Sequence, residues 1–179
     1  MKYMQHGGMQ SHPLMRLTLY FTLFLLCGFW VTNFAIYFAK MNLTPQSVID
    51  YYLGFEAEFR MPRTYQSMLE VTHMHLPMMA LVMLVLTHLL IFSAFQHRTK
   101  VIFICVAFLS AFLYETAGWL VRFVHPLFAW MKVTTFVVMQ AILAFLLGAL
   151  ALFLMRGQRG MENGGSNNHS KGALARKIE

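Results

Sequence analysis

Four long apolar runs separated by short polar breaks dominate this chain, at about 14–39, 69–95, 101–124 and 127–155. A bilayer core about 30 Å thick needs roughly 20 apolar residues per crossing helix, and each run meets that length. The second run carries histidines and the third carries Glu115, so neither is purely apolar. The pattern predicts an all-α integral membrane four-helix bundle. The first run exceeds the roughly 7–15 residues of a signal-peptide core, so it is expected to stay as the first helix.

The segment at 40–68 reads as an external excursion. Thr44 and Pro45 make an N-cap and first-turn pair, a short helix follows over Gln46 to Leu53, and Gly54 suits its stop. Tyr51, Tyr52, Phe55 and Phe59 make the segment amphipathic, able to lie on the membrane and cover the bundle mouth. Pro62 breaks the chain before the second span. The stretch at 157–179 is polar and glycine-rich, too poor in apolar groups to bury a core, and is expected as a tail without structure of its own. Ala107/Ala111 and Ala144/Gly148 are small-xxx-small pairs expected to form helix seams.

Of the 179 residues, 58% are hydrophobic and only 12% charged, which leaves little for a soluble domain. The net charge of +7 lacks a basic domain to carry nucleic acid, so that class is excluded. Lys and Arg instead gather at span ends. Nine lie on the side of the termini, including Lys2 and five in the tail, against five on the other side; this places both termini in the cytoplasm, with the spans in an inner-type membrane. Cys27 and Cys105 belong to no CxxC pattern and read as packing thiols.

The chemistry concentrates in Glu70-Val-Thr-His73-Met-His75-Leu-Pro77, continuing to His88. Ionisable groups inside a span are costly and usually face a bundle interior or a cofactor. With a tight turn near 96–100, residues at equal depth in the second and third spans should have positions summing to about 197. That sets His75 level with Arg122, and His73 near His125. The same reasoning around Pro126 sets Glu115 level with Gln140, a potential hydrogen-bond partner for a buried carboxyl. His73 and His88 share a face but stand about 22 Å apart along the helix, too far for one iron. His73 or His75 opposing His125 is therefore the expected axial pair for one haem, with Arg122 on a propionate. Simpler uses also exist. His125 suits an interfacial cap beside Pro126, His73 and His75 can meet headgroups, and His88 can bond a Thr or the backbone. Met74, His75, Met78 and Met79 suggest copper as an alternative metal.

Glu70-Val-Thr-His73 at the start of one span, with His125 at the start of another, resembles one four-helix half of haem A synthase. The resemblance implies a b-type haem held by His73 and His125, with Glu70 as a catalytic carboxylate. It covers three residues and their spacing. Met74 and Pro126 follow the histidines where that family places Arg, and its external-loop cysteines have no counterpart here.

The functional expectation is a cytochrome b-like, haem b-binding electron-transport subunit, exchanging electrons with quinone or an outer-face partner within a membrane redox complex. The competing expectation is a cofactor-free anchor subunit of a larger complex.

Overall fold

A computed structural model describes residues 13–93 and 95–175. Lys2, Arg176 and Lys177, which entered the charge count, lie outside the described residues. The elements are α1 (Pro13–Lys40), α2 (Pro45–Leu53), α3 (Tyr65–Ile91), α4 (His97–Phe123) and α5 (Ala129–Ala175), with 3-10 turns at Glu56–Glu58 and Pro126–Phe128. Four of the helices are long and apolar enough to cross a membrane. The chain is an all-α membrane bundle, with the short α2 at one end, called here the mouth.

Burial ranks the spans. Half of the apolar window of α5 is buried, against 6% of that of α1, so α5 is the axis and α1 a peripheral strut. α5 packs along α4 most extensively, with α3 beside both and α1 against α5. Flat aromatic stacks join the layers: Tyr37 on Phe136 and Phe103 on Phe145, each 3.7 Å between centroids. Ala107 and Ala111 are buried as a seam on α4. Ala144 and Gly148 face outward instead, with nothing within 4 Å of a Cβ built on Gly148, because Leu143, Leu146 and Leu147 form the inward stripe of α5.

The mouth is built as its residue types demand. Thr44 accepts from the Ser47 amide, Pro45 opens α2, and Gly54 ends it at φ 90°. A Cβ at Gly54 would stand 2.6 Å from the Arg60 carbonyl, so only glycine fits. α2 lies across α4 and α5 with Val48 and Tyr52 buried, and so covers the mouth.

Two expectations are corrected. α3 ends at Ile91, four residues before the apolar run does, where Lys100 donates to the Ile91 carbonyl at 2.7 Å. The stretch at 157–179 is not an unstructured tail throughout: helical backbone runs on to Ala175. Extending an existing helix avoids the cost of nucleating one, so apolarity does not mark its end.

Candidate functional site

The early end of α3 shifts the whole register. Trp119 donates to Thr72 Oγ1 at 2.9 Å, and His75 Nδ1 lies 2.6 Å from Glu115 Oε1. These pairs sum to 191 and 190, not 197, a slip of about seven residues or roughly 10 Å. Consequently His75 is level with Glu115 rather than Arg122.

His75 and Glu115 form the centre of a polar cluster. The Glu115 side chain is 9% exposed, whereas that of His75 is 50% exposed on the outer face of α3. If the carboxylate is ionised it can only accept, so Nδ1 carries the proton and Nε2 turns outward. Behind Glu115, the buried Lys132 donates to the Tyr114 carbonyl at 2.8 Å, with its ammonium 3.3 Å from the Tyr114 ring centroid. Its charge is within electrostatic range of Glu115. Tyr52 closes the cluster from the mouth. Its ring is 5.9 Å from the Lys132 ammonium and its hydroxyl seats against Gly118, where a Cβ would stand 2.6 Å away. Burial holds the Tyr52 phenol well above its usual range, with Tyr114, Tyr51 and Glu115 adding to the rise and Arg63 opposing it.

Gln140 is not the partner of Glu115. Its backbone carbonyl accepts from Trp30 Nε1 at 3.2 Å, and its side-chain amide is buried with no protein hydrogen-bond partner. Arg122 is equally displaced from its expected role on a propionate: Nε donates to the Arg63 carbonyl at 2.8 Å and ties down the segment entering α3. His125 takes the capping role, its Nδ1 accepting from the Leu127 amide at 3.2 Å. Glu70 is exposed and accepts from Gln66 at 3.0 Å, and His88 meets the Phe92 ring edge-on.

A family model described as a transmembrane helical domain matches residues 42–161. The chain belongs to that family, Aq_1264_TM. No curated protein and no solved structure matches it. The Aq_1264_TM match takes in α2, α3, α4 and the spanning part of α5, and with them Tyr52, His75, Glu115 and Lys132; α1 lies wholly before it.

The single-iron clamp does not fit this Aq_1264_TM chain. Ten residues of rise separate Glu115, level with His75, from His125, or about 15 Å. Two nitrogens opposed across one metal stand only about 4 Å apart. His73, His75, His88 and His125 are all exposed, and among the described residues no group of three His, Cys, Asp or Glu side chains can hold a metal. The clefts of about 580 and 260 Å³ at the mouth and the 10 Å³ void beside Leu146 are lined by other residues.

Sequence reasoning missed Lys132, Tyr52 and Tyr114 as members of the site. Lys132 offered a signal, since it lies within the fourth apolar run, but it was counted only as an orientation charge.

Proposed function

We propose that this chain is a proton-exchanging subunit of a larger membrane redox complex, with both termini cytoplasmic and the outer face of α3 turned to a neighbouring subunit. The contact between the exposed His75 imidazole and the buried Glu115 carboxyl carries this reading. An imidazole left against lipid is costly, so a neighbour facing His75, Met74 and Met78 relieves that cost. A proton arriving at Nε2 lets Nδ1 release its own to Glu115, and the Lys132 ammonium behind balances the carboxylate between transfers. The electron carrier belongs to the neighbour, because among the described residues His75 and His125 stand too far apart in depth to hold one iron.

The test is a lipid-soluble carbodiimide, which reacts with protonated carboxyls reached from the bilayer. Peptide mass analysis should find the adduct on Glu115, increasing toward acid pH. A Glu115 that stays unmodified at every pH, while exposed Glu70 reacts, would mean a fixed ion pair and no exchange.

One observation favours a second reading, a b-type haem shared with the neighbour. A carboxylate on Nδ1 that leaves Nε2 free is how proteins orient metal-binding histidines. His75 would help to hold the haem, and the bound haem would supply one-electron transfer. A reduced-minus-oxidised spectrum and metal analysis of the isolated complex decide this: haem bands lost in His75→Ala support it, whereas copper or no metal removes it.

A further inference from the structure

The mouth carries a second polar feature, unrelated to the histidines. An open cleft of about 580 Å³ lies between the end of α1, the loop after α2 and the start of α3. Lys40, Arg60 and Arg63 line it, together with Thr64 and Ser67. Arg60 is matched by Glu58 at 2.6 Å. Arg63 is not neutralised in that way: its guanidinium stacks 4.3 Å from the Tyr51 ring centroid, which orients it and leaves its charge intact. Lys40 is exposed at the last position of α1. The positive end of the 27-residue α3 opens into the same cleft at Thr64, adding a partial charge of the same sign.

Exposed apolar side chains belong to the same loop. Phe59 is 94% exposed and Met61 82%, and Tyr65 follows at 61%. Side chains of this kind at the end of a membrane bundle suit the boundary between headgroups and acyl chains. A cationic cleft edged by them matches a ligand with an anionic head and apolar chains.

We propose that this cleft binds a phosphate group, brought there as the headgroup of an anionic phospholipid. Lys40 and Arg63 are the principal contacts, and Thr64 and Ser67 supply hydroxyl donors.

Native mass spectrometry of the purified full chain, titrated with phosphatidylglycerol, phosphatidylcholine or inorganic phosphate, tests this. Phosphatidylglycerol should be retained over phosphatidylcholine, and Arg63→Gln or Lys40→Gln should each weaken retention about tenfold, the worth of one charge-assisted hydrogen bond. Arg98→Gln, at the opposite end of the bundle, should change nothing. Arg63→Lys should restore part of the loss, which separates lost charge from lost folding. If Arg63→Gln does not fold, the exposed Lys40→Gln carries the test alone. Binding of inorganic phosphate with the same dependence on Arg63, but without lipid retention, would keep the phosphate site and overturn the lipid as its source. Equal phosphatidylglycerol retention by wild type and both glutamine variants would overturn the site itself.

Discussion

Gly118→Ala should unseat α2 from the mouth. The new Cβ would lie 2.6 Å from the Tyr52 hydroxyl oxygen, 2.9 Å from Cζ and 3.1 Å from Cε1, where ordinary contact begins at 3.4 Å. The ring must therefore withdraw by about 0.8 Å at its tip. It cannot simply swing away, because Tyr52 is buried, Val48 one turn earlier has no exposure at all, and the Tyr52 carbonyl is held by the Arg63 amide at 3.1 Å. Withdrawal moves the helix as a unit, at the about 1–3 kcal/mol typical of an overpacked site. Thermal melting in detergent should show this loss, and hydrogen exchange should show weaker amide protection over residues 45–53. Adding Tyr52→Leu removes the clashing ring, so the double variant should cost less than the two single changes together. A Gly118→Ala protein that melts and exchanges like wild type would show that Tyr52 does not anchor α2.

Glu115→Leu should destabilise the protein by about 1–3 kcal/mol, because it strips the His75 Nδ1–H of its acceptor and removes a carboxylate whose field reaches the buried Lys132. The pair Glu115→Leu/Lys132→Met should recover part of that in the same melting assay, and no recovery would separate the two residues energetically. Docking of α2 should also fail in alkali. Tyr52 is held protonated above its ordinary 10.0, so the stability it contributes is complete below about pH 10 and is lost as pH rises toward the folded-state value. Tyr52→Phe should flatten that decline in exchange protection, and an unchanged alkaline transition would assign it elsewhere.

The four spans and the mouth helix were legible because each rests on a local signal. Apolar length specifies a membrane helix, and Thr44, Pro45 and Gly54 specify the limits of α2. The site was less legible because it depends on register between helices. Apolarity placed the end of α3 at 95, but Lys100 bonds the Ile91 carbonyl and the turn begins four residues earlier, which displaces every cross-helix pairing. Equal depth about Pro126 sets Glu115 level with Gln140, whereas the structure sets it against His75. The outward turn of Ala144 and Gly148 was hidden for a different reason. In a helix apolar on every side, a small-residue pair does not say which face is buried.

Nitrogen-15 solid-state NMR of His75 in lipid, in wild type and Glu115→Gln, tests the central contact most directly. A strongly hydrogen-bonded Nδ1–H should be present in wild type, and the glutamine variant should lose that signature and redistribute the proton between the ring nitrogens. Identical His75 spectra in the two proteins would mean that the imidazole and the carboxyl do not meet, and the proton site would not exist.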